Sequence, residues 1–249
     1  MESFVWIALA GLGAGFVNAV AGGGSLISFP ALMFNGMSAV TANATSTVAL
    51  WPGSLASVWA YRSRIRDQRH ALTLALPSLI GGLLGAVLLL HTSEKVFRFI
   101  VPYLILLACG LLVAQDPIGR WVAGRTGGTS ERTPPALWIV QLLISVYGGY
   151  FGAGIGILML AAMAIFIPED LQAANALKVF FAMLINGIAL LYFMFTQTAD
   201  LRAAGVMACA SVIGGYVGAH TAQWLPSRWL RVFVVGFGLF VALRLLMAG

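Results

Sequence analysis

Lys178 is the one basic side chain that lies well inside an apolar stretch of this chain, and every Asp and Glu sits in or beside a polar loop. If its helix begins near Leu171, Lys178 lies ~10 Å into apolar surroundings, at 1.5 Å of rise per residue. A charge at that depth costs on the order of a few kcal/mol unless it is paired or reaches an interface. No carboxylate is close by within the stretch, so a bound anion is a natural counter-ion. Asn186 falls two turns further along the same helical face. The competing reading is a lysine that snorkels to the headgroups.

Two glycine clusters offer a second anion-binding device. Gly22-Gly23-Gly24-Ser25 and, 132 residues later, Gly154-Ile155-Gly156-Ile157 interrupt apolar stretches. A helix break inside a membrane frees backbone N–H groups, and those at a half-helix N-terminus attract anions. Glycine lets a ligand approach that backbone. The candidate binding residues are therefore Gly22, Gly23, Gly24, Ser25, Gly154 and Gly156, with Gly152 helping to open the second break. Ile157 stands where the first half has Ser25, so the two half-sites differ in polarity. Close helix packing on small residues is the alternative. Asn43, Thr45 and Ser46 form a polar block, repeated at Asn175 and, for Ser46, at Lys178. Their amides and hydroxyls can donate to an oxyanion; interhelical hydrogen bonds are the equal competitor.

The elements that must position these groups follow from composition. The 249 residues are 60% hydrophobic and 9% charged, against roughly 25% charged in soluble domains. Apolar stretches run over 4–34, 40–61, 71–92, 96–115, 136–167, 173–197, 203–224 and 229–247. Crossing a bilayer takes roughly 20 helical residues, and these stretches lack the alternation of barrel strands. The fold expected is an all-α polytopic membrane protein. The charge of +6 is carried by loops; it is an orientation signal, and nothing points to nucleic acid. Met1-Glu2-Ser3 lacks the basic start of a cleavable signal. Cys109 and Cys209 have no metal-ligand spacing, and no cofactor or metal is implied.

The chain divides into a first membrane repeat (1–115), a polar linker (116–135) and a second repeat (136–249), each repeat with four apolar segments. Ala42-Asn43-Ala44 returns as Ala174-Asn175-Ala176, and Gly81-Gly82 returns as Gly214-Gly215. The Arg62-to-Arg69 loop and the linker are expected to be cytoplasmic. If each overlong first segment crosses once, the repeats are parallel. If each is broken and re-entrant, they are inverted, and broken helices are how inverted-repeat transporters build a site. The inverted arrangement is the expectation.

Gly15-Phe16-Val17-Asn18-Ala19-Val20-Ala21-Gly22-Gly23-Gly24-Ser25, then Phe29-Pro30, then Ala42-Asn43-Ala44-Thr45-Ser46 resembles the signature of the TauE/SafE family. Ala176-Leu177-Lys178 followed by Asn186-Gly187 is similar to that family's second-repeat pattern. The resemblance spans about residues 4 to 247; Trp51-Pro52-Gly53-Ser54 departs from it, where aliphatic residues would be ordinary. It implies a transporter for sulfite, sulfonates or related anions in a cell membrane, here a bacterial inner membrane. Proton-coupled carriers usually keep an intramembrane carboxylate; its absence here suggests that a proton travels on the substrate. His91 and His220 read as interfacial or packed side chains. A channel shares these features, and a carrier of non-sulfur organic anions would use the same donors. A membrane enzyme is disfavoured, since no HExxH, GxSxG or buried carboxylate pair is present. Whether the chain is a homodimer is open.

Overall fold

The computed structural model describes residues 2–20, 23–66, 68–123, 134–166, 171–221 and 227–248. They form ten helices: α1 (Glu2–Val20), α2 (Ser25–Phe34), α3 (Ala39–Arg66), α4 (Arg69–His91), α5 (Glu94–Ala123), α6 (Pro135–Tyr150), α7 (Ile155–Phe166), α8 (Leu171–Phe195), α9 (Leu201–Thr221) and α10 (Ser227–Ala248). No strand occurs among the described residues. Five of the helices are long and apolar enough to cross a membrane: α4, α5, α8, α9 and α10. Helix α3 is longer than most of these, but the Asn43, Thr45 and Ser46 block and its arginine-rich end lower its hydropathy. Helix α5 continues to Ala123, through residues that the sequence reading places in the linker.

Each overlong first segment is two helices. The chain takes left-handed backbone at Gly23 (φ 94°), and again at Gly152 and Gly154 (both φ 80°), a region closed to most residues with a Cβ. The second helix of each pair turns back on the first. A Cβ on Gly24 would lie 2.5 Å from the Ala14 carbonyl oxygen, and Gly13 faces Ile27. A continuous helix would separate residues 14 and 24 by about 15 Å. In the second pair, Gly148 meets Ile155, and the Tyr147 hydroxyl donates to the Ala153 carbonyl at 2.6 Å.

These hairpins are clamped by crossings made on glycine. Helix α1 lies against α9, and α4 against α6. A Cβ on Gly15 would collide with the Ser211 carbonyl, and one on Gly214 with that of Leu12. Likewise Gly85 abuts the Val146 carbonyl and Gly149 that of Gly82. Small residues let backbones approach where lipid supplies no hydrophobic drive for helix association.

Helix α3 crosses α8, where Trp51 Nε1 donates to the Met183 carbonyl at 3.1 Å and Gly187 leaves room for the indole. Helix α5 crosses α10 at Ile105, Cys109 and Gly238. Phe29 and Phe151 meet edge to face at 5.5 Å, in a buried cluster that includes Leu89, Phe97, Ile105 and Phe193.

Helix ends are stitched by side chains from elsewhere. Glu94 accepts from the Ala39 and Val40 amides at 2.6 and 3.1 Å, so the start of α3 sits beside the start of α5. Thr45 accepts from the Asp200 amide at 3.0 Å, which brings the start of α9 to the same end. At the opposite end, Asp116 of α5 pairs with Arg231 of α10.

Candidate substrate site

The tips of the two hairpins enclose one cavity of about 230 Å³. Gly23 and Ser25 reach it from the first hairpin, and Gly152, Gly154, Ile155 and Gly156 from the second. The N-terminal turns of α2 and α7 thus border the same space, so the positive ends of two half-helix dipoles share it. Successive leucines of α5 press on the two breaks. Leu112 lies 3.0 Å from where a Gly23 Cβ would be, and Leu111 lies 3.1 Å from where a Gly154 Cβ would be.

Lys178 lines this cavity. Its stem runs over Gly156, whose missing side chain leaves the room: a Cβ there would be 3.0 Å from Lys178 Cδ. Lys178 Nζ donates to Asn175 Oδ1 at 2.9 Å, one turn back on α8. The one ion pair among the described residues joins Arg231 to Asp116, so Lys178 has no carboxylate partner there. Its charge is met by a neutral amide and by the cavity.

Of the residues singled out from sequence, Gly23, Ser25, Gly154, Gly156, Lys178 and Asn186 line the cavity. Asn175 reaches it through Lys178. Gly24 is instead buried against Ala14 and Asn18, and Gly22 lies outside the described residues. The polar block of α3 is occupied by helix packing. Asn43 Nδ2 donates to the Tyr150 carbonyl at 2.9 Å, one of the acceptors left over at the end of α6. Ser46 shares a 2.6 Å hydrogen bond with Ser28, and Thr45 holds the start of α9.

Asn43→Ala is accordingly expected to lower the apparent melting temperature in detergent, through loss of about 1 kcal/mol. Substrate affinity of the folded fraction should not change; binding titrations that weaken in proportion would place Asn43 in the site.

Four polar residues of the cavity are not among those singled out: Asn18, Ser54, Ser57 and Gln115. Asn18 belongs to the glycine signature, and Ser54 to the Trp51-Pro52-Gly53-Ser54 departure. Ser54 and Ser57 are one turn apart on α3, a spacing readable from sequence. Ser57 spends its proton on the Gly53 carbonyl at 2.9 Å. Gln115 is the last residue of the 96–115 apolar stretch, where a polar side chain is ordinary. Its Oε1 is buried without a hydrogen-bond partner, so a ligand donor there would satisfy a costly buried acceptor.

The arrangement suits a small anion held by one cation, two helix N-termini and neutral amides and hydroxyls. No cluster of His, Cys, Asp or Glu that could hold a metal occurs among the described residues.

The family model described as "Sulfite exporter TauE/SafE" matches residues 7–245. A "probable membrane transporter protein" of Haemophilus influenzae is 27% identical over 230 residues, covering 90% of this chain and 87% of the relative. The "probable membrane transporter protein ORF9" of a Sinorhizobium species is 26% identical over 235 residues, covering 94% and 88%. The "probable membrane transporter protein YfcA" of Escherichia coli K12 is 27% identical over 241 residues, covering 94% and 86%. No solved structure matches the chain. A family match over nearly the whole length, on a chain whose described residues include five membrane-capable helices, makes this multi-pass membrane protein a member of the TauE/SafE family of membrane transporters.

Proposed function

We propose that this protein is a secondary transporter for a small sulfur-containing anion, sulfite or a sulfonate, bound between two inverted repeats and exposed alternately to either side. The observation that carries the reading is the meeting of the α2 and α7 N-terminal turns with Lys178 in one cavity. The family description supplies sulfur; the cavity supplies a reason for an anion.

The repeat reading, residues 1–115 and 136–249 about the linker, is supported by how the helices pair. Exchanging the halves converts the α1–α9 crossing into the α6–α4 crossing. The Trp51 contact with Met183 joins positions 132 residues apart, the repeat offset itself. Such self-matching contacts arise where a two-fold axis passes.

Inversion is supported by the fold-back of α2 and α7, which leaves three long helices after each hairpin. With the start of α3 beside the starts of α5 and α9, α1 enters from that end and α6 from the other. Arg62, Arg64, Arg66, Arg69, Arg120, Arg228 and Arg231 then share the linker's face, while Lys95, Arg98, Arg202 and Arg244 lie opposite. The richer face is cytoplasmic by the positive-inside rule, in a bacterial inner membrane.

Gln115, whose buried Oε1 lacks a donor, and a cavity lined by no carboxylate among the described residues favour a substrate that carries its own proton, as bisulfite does. The test is counterflow of radiolabelled sulfite into proteoliposomes preloaded with unlabelled sulfite. A carrier is expected to accumulate label transiently above equilibrium; simple equilibration would favour a pore. If proton linkage rides on the substrate, a fully ionised sulfonate should move without acidifying the lumen.

A further inference from the structure

A second, larger recess lies outside the candidate substrate site, between α5 and α10, with a volume of about 900 Å³. Its walls are apolar, formed by Leu112, Val113, Val232, Val235, Gly236 and Leu239. Val113, Val232 and Leu239 are exposed on the surface that faces lipid. From Arg231 to Leu239 the recess follows α10 for about 12 Å, a slot along the membrane normal.

Among the described residues polar groups gather at one end: Asp116, Arg120 and Arg231. Asp116 and Arg231 form an ion pair, which leaves Arg120, exposed, as the excess positive charge. Arg120 follows the end of the apolar span Glu94–Ile118, and Arg231 is the second residue of the span Leu230–Met247. The basic end therefore lies at headgroup depth, on the face that carries most of the arginines. Anionic lipids give the cytoplasmic leaflet its negative potential, and basic pockets between helices there bind their headgroups.

We propose that this groove is a binding site for one anionic phospholipid, its phosphate on Arg120 and Arg231 and an acyl chain along the valine-lined slot. Charge and shape together select this occupant. A free oxyanion has no use for the apolar slot, and a zwitterionic lipid brings a cation toward the arginines. Leu112 belongs to both the groove and the central cavity, so the chain of the bound lipid rests on one wall of the candidate substrate site.

Gly236 supplies a clean test, because nothing lies within 4 Å of where its Cβ would be. Gly236→Leu fills the groove without a clash and favours the helix. The protein is reconstituted into nanodiscs of equal parts phosphatidylglycerol and phosphatidylcholine, released, and weighed with retained lipid by native mass spectrometry. One phosphatidylglycerol per chain is expected on the native protein. Retention should fall several-fold in both Arg120→Gln and Gly236→Leu, and stay unchanged in Arg62→Gln, a basic control on the same face. Equal retention of phosphatidylcholine overturns the proposal. So does native-level phosphatidylglycerol in either groove variant, an equal loss in the control, or a dimer that excludes lipid from the groove.

Discussion

Replacing Lys178 with alanine is expected to reduce sulfite counterflow at least tenfold while the protein stays folded. A charge-assisted hydrogen bond contributes roughly 1.5–3 kcal/mol, which is about ten- to a hundredfold in binding. Among the described residues Lys178 is the one cation bordering the cavity, so no described neighbour replaces it. Its stability cost runs the other way: an ammonium met by a neutral amide is poorly compensated, and removing such a charge is neutral or stabilising. The expected signature is lost transport with an unchanged or raised melting temperature. Lys178→Arg should recover only part of the rate, because the larger guanidinium must also pass over Gly156. Full counterflow in the alanine variant would return Lys178 to the role of a snorkelling lysine and leave the carrier reading standing.

Gly149→Leu is expected to do the reverse and cost the fold itself. The Cβ it introduces would fall on the Gly82 carbonyl, backbone against backbone, with no flexible side chain to yield. Overpacking a core costs typically 1–3 kcal/mol where side chains can shift, and a backbone collision between α4 and α6 should exceed that. Little monodisperse protein should survive detergent extraction. Gly110→Leu is the control, since its Cβ would meet nothing within 4 Å, and it should extract as the native chain does. A well-folded Gly149→Leu protein would mean that α4 and α6 do not cross at this point. Gly15→Leu, at the matching α1–α9 crossing, should fail in the same way.

Both experiments turn on residues whose types the sequence displays but whose neighbours it does not. Gly149 is anonymous in sequence, one glycine among many. Gly82 is visible in the sequence as a repeated glycine, without the carbonyl contact that makes it critical. Lys178 stood out because a charge within an apolar stretch is a local anomaly. Asn43, Thr45 and Ser46 stood out equally and had the same donors to offer, yet they tie helices together.

What the sequence by itself determined is what depends on short-range physics. Long apolar stretches cannot remain in water, so a helical membrane protein followed from composition. Glycine tolerates left-handed backbone, so the breaks at Gly23 and at Gly152 to Gly154 were readable within a few residues. What only the tertiary structure decided is which polar groups share a space. Asn43 and Tyr150 are 107 residues apart, and Thr45 and Asp200 are 155 apart. No periodicity encodes such partners. Ser54 and Gln115 border the cavity because α3 and α5 pass its two hairpin tips, and that placement is set by glycine crossings elsewhere in the chain. A side chain's type limits the bonds it can make; the crossing of helices selects the one it does.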